Sequence, residues 1–212
     1  MSRWDHTITR TAADAKRFWE SASLDTLHQM MEPSWAWQAW LKVAAEIIAE
    51  PGTVFEPGCG IGVLADLLPD GCSYYGCDIN PVYVEEARRR SARVDTTFEV
   101  RDLEEVLSSG ETFDWVVVTS LFGMFPETTA YELMPRFWAA CRRGLSVTTI
   151  DKKAFAGGPL MRFEFSSHDP DRLLEVARGL PRVDRVELHA GEEFPQFRRH
   201  HWKHGLALYA WR

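Results

Sequence analysis

Three alternating glycines, Gly58, Gly60 and Gly62, sit in the stretch VFEPGCGIGVLADLL (residues 54–68), directly after an acid, Glu56. TVFEP, ahead of them, is a short apolar run of β-forming residues and reads as a strand. The segment after them has helical spacing over 61–68. Glycine admits positive φ and leaves no Cβ in the way of an approaching molecule. A plain strand-to-helix turn needs one such residue. Three in alternation predict a turn against which a ligand presses, and in an open α/β sheet the first such turn lies at the carboxyl ends of the strands, where ligands bind.

The rest of the chain repeats the alternation. SYYGCDI (73–79), TTFEV (96–100), DWVVVTS (114–120) and LSVTTID (145–151) read as strands, with helices expected over 81–91, 103–108 and 128–143 between them. Asn80-Pro81 and Asp169-Pro170 each pair an N-cap side chain with proline at the first helical position, the second opening a helix over 170–179. Strands alternating with helices predict a doubly wound, mostly parallel sheet with helices on both faces. The last two runs, RVDRVELHA and GLALYAW, are expected to pair antiparallel at its edge. Upstream, SWAWQAWLKVAAEIIAE has a one-sided apolar stripe that packs on the sheet, and DAKRFWESASLDTLHQMM reads as a helical lid over the ligand crevice. At 212 residues one domain is expected: a helical extension (1–50), a core (51–151), and a substrate-side segment with the terminal strands (152–212).

Composition narrows the function. No apolar block reaches the ~20 residues of a membrane span, and no signal peptide is evident, so a cytoplasmic protein is expected. Cys59, Cys72, Cys77 and Cys141 form no CxxC pair, so no metal site is expected. A net charge of -7 sets the chain apart from general polyanion binders, and nucleic acid is not the expected partner. One local exception is FRRHHWKH (197–204), which is either a basic surface hairpin or a contact for an anionic substrate.

Asp78 stands twenty residues beyond Gly58, at the end of the second strand, where a carboxylate can accept both hydroxyls of a ribose. Dinucleotide sites use GxGxxG; here the third glycine comes one residue early. Glu56 would repel a pyrophosphate and suits a ligand carrying an ammonium group. These residues resemble the class I S-adenosylmethionine-dependent methyltransferases. FEPGCGIG looks like the family's first motif, YYGCDIN its second, VRDLEE its third and FDWVVVTSLFGMF its fourth. The resemblance implies a Rossmann-like seven-stranded sheet with a final antiparallel strand. It also implies S-adenosylmethionine as cofactor, S-adenosylhomocysteine as product, and a site that includes Glu56, Gly58, Cys59, Gly60, Gly62, Asp78, Ile79, Asp102, Leu103 and Ser120. In that assignment Asp78 holds the ribose, Ile79 and the Leu103 backbone contact the adenine ring, and Asp102 accepts from the adenine amino group. The reaction it implies is displacement at a sulfonium methyl, where positioning and desolvation are the protein's main task and a base is dispensable.

The acceptor is less defined. SLFG replaces the Asn/Asp-Pro-Pro-aromatic pattern of enzymes that methylate exocyclic amines, and the glutamate pair of arginine methyltransferases is missing between Leu121 and Pro126. A small-molecule acceptor is therefore expected, methylated on oxygen, with a role in secondary metabolism. The alternatives are nitrogen methylation, an RNA or protein acceptor, and a noncatalytic scaffold. Trp19, Phe122 and Arg162 are candidate substrate contacts, Arg162 as a bidentate partner for a carboxylate or phosphonate. Phe18, His28 and Trp35 extend that set from the N-terminal helices. His28 and His168 are candidate bases, each with a purely structural reading as the alternative. The oligomeric state stays open.

Overall fold

The structure, a computed structural model, describes residues 11–31, 34–152, 166–199 and 201–212, with the side chains of 201 and 202 left aside. Arg162 lies outside the described residues, and so does part of the basic stretch 197–204. Three helices open the described chain: α1 (Ala12–Ser21), α2 (Leu24–Met30) and α3 (Ser34–Ala45). Seven strands and four helices then alternate. They are β1 (Thr53–Pro57), β2 (Ser73–Asp78), α4 (Pro81–Arg90), β3 (Thr96–Val100), α5 (Leu103–Ser109), β4 (Phe113–Val118), α6 (Glu127–Ala139), β5 (Cys141–Ile150), α7 (Pro170–Arg178), β6 (Arg185–Ala190) and β7 (Gly205–Trp211).

The strands form one sheet in the order β3-β2-β1-β4-β5-β7-β6. All neighbours are parallel except β7, which runs antiparallel to both β5 and β6. The two terminal strands pair as expected, but β7 enters between β5 and β6, so the earlier strand holds the edge. Burial explains the choice. β7 reads GLALYAW, apolar at nearly every position and buried from Gly205 to Ala210, whereas β6 carries Arg185, Glu187 and His189 and stays partly exposed.

Alternation along the strands splits the core into two halves. Val54, Trp115, Val117 and Tyr209 face α3 and α4, while Phe55, Val116, Val118 and Leu208 face α6 and α7. Trp40 of α3 and Trp138 of α6 are fully buried, one in each half. Asn80 caps α4 and Asp169 caps α7 through their side chains, as the Asn-Pro and Asp-Pro pairs predict.

Some boundaries differ from the sequence expectation. The helix over 61–68 is only a 3₁₀ segment, Val63–Leu67. Gly62 enters it from the left-handed region, and Pro69 holds Leu68 extended (ψ 148°), so no full α-turn develops. β4 ends at Val118, two residues early, because Ser120 turns the chain at φ 55°. α6 stops at Ala139, and β5 starts at Cys141 rather than 145.

Candidate active site

A cavity of about 310 Å³ opens at the carboxyl ends of β1, β2 and β4, beneath α1 and α2. Its floor is the glycine turn. Gly58 and Gly60 have φ of 66° and 52°, a region open to glycine at no steric penalty, and both line the wall with Glu56, Cys59 and Ile61. The turn is held from the neighbouring strand: Cys59 N–H donates to the Cys77 carbonyl at 3.0 Å, and Gly60 N–H donates to Asp78 Oδ2 at 2.9 Å. Asp78 Oδ1 accepts from Asn80 N–H at 2.9 Å. Each carboxylate oxygen keeps a second lone pair for a ligand hydroxyl. Burial pushes the Asp78 carboxyl above its ordinary range, opposed by the amides of Asn80 and Gly60.

Glu56 lies at the end of β1, only 2% exposed. Tyr74 and Thr119 each donate a hydroxyl to one of its oxygens. Desolvation raises its pKa to about 7, with the two hydroxyls opposing. Asp102 is the N-cap of α5: Oδ1 accepts from Glu104 N–H at 3.0 Å, and Oδ2 meets the ammonium of Lys16 on α1. Burial pushes its carboxyl up, but Lys16 and the Glu104 amide together outweigh burial and hold it below the usual carboxylate value. Ionisable side chains on the wall include the acids Glu56, Asp78, Asp102 and Glu104 and the cations Lys16 and Arg101. That excess of carboxyl groups suits a cationic ligand.

The roof is apolar. Trp19 from α1, and Leu27, Met30 and Met31 from α2 and its end, close over the turn, and Trp37 and Leu41 of α3 continue the wall. Leu121, Met124, Phe125 and Leu133 line it from the β4 end and α6.

Ten of the residues singled out from sequence reach this wall: Trp19, Glu56, Gly58, Cys59, Gly60, Asp78, Ile79, Asp102, Leu103 and Ser120. Four do not. Gly62, at φ 70°, is a packing glycine: a Cβ there would stand 2.4 Å from Phe98 Cε1. Phe122 is fully buried on the opposite face, against Phe137 and the His168 ring, because the 3₁₀ turn Leu121–Met124 sends its neighbours to the cavity instead. His168 is a core histidine. It is fully buried, its Nδ1 lies 2.6 Å from Thr149 Oγ1, and desolvation lowers its pKa to about 4. His28 is exposed on α2, away from the wall. Neither imidazole is placed to act as a base in the cavity. Trp35 is 52% exposed, whereas Phe18 packs edge-on against Trp19.

Lys16, Tyr74 and the lid contacts of Asn80 were not legible in the sequence, since each depends on a partner more than fifteen residues away. The four cysteines are free and buried, and no group of His, Cys, Asp and Glu that could hold a metal ion occurs among the described residues. No helix among them is long and apolar enough to cross a membrane.

Comparison with known proteins points the same way. Residues 54–144 match the family model described as a methyltransferase domain. A curated relative, malonyl-[acyl-carrier protein] O-methyltransferase of Anoxybacillus flavithermus, is 27% identical over a 155-residue alignment, with 59% of this chain and 58% of that protein covered. Magnesium protoporphyrin IX methyltransferase from Synechocystis PCC 6803, solved with bound S-adenosylmethionine, superposes with a TM-score of 0.59 at 17% identity, covering 97% of this chain and 93% of that one. A SAM-dependent methyltransferase from Archaeoglobus fulgidus gives 0.68 at 13% identity, covering 90% and 100%. The plantazolicin methyltransferase BpumL, solved with a pentazolic desmethylPZN analog and SAH, gives 0.66 at 11%, covering 93% and 94%.

Proposed function

We propose that the chain, whose residues 54–144 match a methyltransferase domain, is a class I, S-adenosylmethionine-dependent methyltransferase that methylates an oxygen atom of a small, largely apolar metabolite held beneath α1 and α2. The observation that carries this reading is the roofed cavity, which joins a polar glycine-turn floor to an apolar wall of Trp19, Leu27, Met30, Met31, Met124 and Phe125. A roofed, concave site of this kind limits access of water and suits a small acceptor better than a polymer. The curated relative named as an O-methyltransferase supports oxygen as the acceptor atom.

When bound, the cofactor supplies an electrophilic methyl group on a sulfonium. Glu56 would hold its ammonium, Asp78 its ribose hydroxyls and Asp102 its adenine amino group, with Ile79 and the Leu103 backbone contacting the adenine ring. Ser120 and Leu121, at the end of β4, border the space in which acceptor and methyl meet. Holding the two reactants in line converts a bimolecular displacement into a unimolecular one, with effective molarities of ~10⁵ M or more for well-aligned groups.

Calorimetric titration with S-adenosylmethionine and S-adenosylhomocysteine, followed by labelled-methyl transfer to a panel of small carboxylic acids, phenols and amines, tests the proposal. Micromolar binding and transfer to an oxygen acceptor are expected. Folded protein that binds neither ligand, or that methylates only RNA or protein, would overturn it.

A further inference from the structure

Asn80 joins the floor of the cavity to its roof. It is 1% exposed, and its side chain and backbone N–H make contacts in three directions. Its Nδ2 donates to the carbonyls of Trp19 and Ala22, both at 2.8 Å, at the end of α1, where the Trp19 carbonyl otherwise accepts only the long contact from Ala22 N–H at 3.4 Å. Its Oδ1 accepts from Val82 N–H at 3.0 Å and Tyr83 N–H at 3.4 Å, capping α4. Its own N–H donates to Asp78 Oδ1. The partners fix the orientation of the amide, since two carbonyls require the NH₂ and two amide hydrogens require the oxygen. The carboxyl end of α1 therefore meets the amino end of α4 through one side chain, with the helix dipoles head to tail.

Two further contacts tie the same lid to the same wall. Tyr83 Oη donates to the Ser23 carbonyl at 3.1 Å, in the link between α1 and α2, and Lys16 pairs with Asp102. Asp78 in turn holds the glycine turn through Gly60 N–H. The acid that faces the ribose, the turn beneath the ligand and the helix above it thus share one hydrogen-bonded chain, Gly60–Asp78–Asn80–α1.

We propose that Asn80 is a positioning residue that registers the α1–α2 lid over the cofactor, so that filling the Asp78 site and closing the roof are one coupled event. The proposal rests on the cofactor assignment above. A ligand on Asp78 tightens the loop from which Asn80 reaches the lid, and a closed lid keeps Ala15, Lys16 and Trp19 on the cavity wall. Opening the roof removes that wall and lets the ligand leave.

Asn80→Ser and Asn80→Asp separate this role from simple capping. Both keep a good N-cap for α4. Serine deletes the two donors to α1, and aspartate turns a carboxylate oxygen on two carbonyls. Hydrogen exchange of the amides of residues 12–31, the melting temperature, and the affinity and dissociation rate of S-adenosylhomocysteine are measured on the full chain. Expected for Asn80→Ser are lid amides that exchange about tenfold faster and an affinity about tenfold lower through faster dissociation, with melting little changed; Asn80→Asp goes further in the same direction. Tyr83→Phe, which leaves the cap of α4 intact, moves the same readouts by a smaller factor. Lid protection and dissociation rate that match wild type in Asn80→Ser overturn the proposal. An affinity loss that merely tracks melting overturns it too. Wild-type protein that is folded but does not bind overturns the cofactor assignment with it, and the exchange data then show separately whether Asn80 holds the lid.

Discussion

Tyr74 Oη donates to Glu56 Oε2 at 2.5 Å, between adjacent parallel strands. Room for the contact comes from Gly76, the register partner of Glu56: a Cβ there would stand 2.7 Å from Tyr74 Cε1. The acid is thus buried against two hydroxyl dipoles, and in the proposed function the ligand's ammonium is its counterion.

A pH dependence follows. With the pKa of Glu56 at about 7, above its ordinary 4.5, the folded state binds more protons than the unfolded state between those values. The stability tied to this group is present below pH ~4.5 and is lost as pH rises through about 7, by up to ~3 kcal/mol. Denaturant titrations of wild type and Glu56→Gln across pH 4.5–8 are expected to converge at the low end and diverge at the high end, with the variant the more stable there. Ligand binding near pH 6 is expected to release protons, read as a buffer-dependent calorimetric enthalpy that Glu56→Gln lacks.

His168 gives the opposite slope. Its pKa is lowered to about 4, first by desolvation, so the unfolded state takes up a proton near pH 6.5 and the folded state does not. Its contribution is present above pH ~6.5 and lost as pH falls towards 4, by up to ~3 kcal/mol. His168→Gln is expected to flatten that acid limb while leaving S-adenosylhomocysteine affinity within about twofold of wild type, since the ring is away from the cavity. A hundredfold loss of affinity in a folded variant would return His168 to the site.

The glycines of the turn separate by position. Gly62→Ala forces a Cβ against Phe98 at positive φ, and a destabilisation of about 2–4 kcal/mol is expected, with ligand affinity of the folded fraction retained. At Gly60 the nearest side-chain atom, on Leu27, is 3.5 Å from the added Cβ. Gly60→Ala is expected to cost less stability and to weaken binding more, because that residue lines the cavity. Chemical denaturation paired with calorimetry distinguishes the two.

Asp78→Asn keeps an oxygen for only one of the two backbone amides, turns its NH₂ on the other, and loses the charge offered to the ribose hydroxyls. Charge-assisted hydrogen bonds contribute about 1.5–3 kcal/mol each, so affinity for S-adenosylhomocysteine is expected to fall about 100-fold or more. An affinity within threefold of wild type would remove Asp78 from the site.

By itself the sequence determined the alternation of strands and helices, the glycine turn, and the acids at the ends of β1 and β2. Each is a local pattern: period-2 burial, cap residues, and an acid at fixed spacing from glycines at a strand end. Tertiary structure decided what lies across from them. Lys16 meets Asp102 from 86 residues away, Asn80 reaches α1 across 61 and 58 residues, and β7 slots inside β6. Phe122, Gly62 and His168 sit in motifs or variable regions that pointed to the ligand, yet all three serve packing. Local spacing places a residue at a strand end, but which face a turn presents depends on backbone angles such as Ser120 at φ 55° and on the elements packed against it. Those elements meet only when the hydrophobic halves of the sheet are closed by helices distant in sequence, so the roof over the cavity is a product of packing.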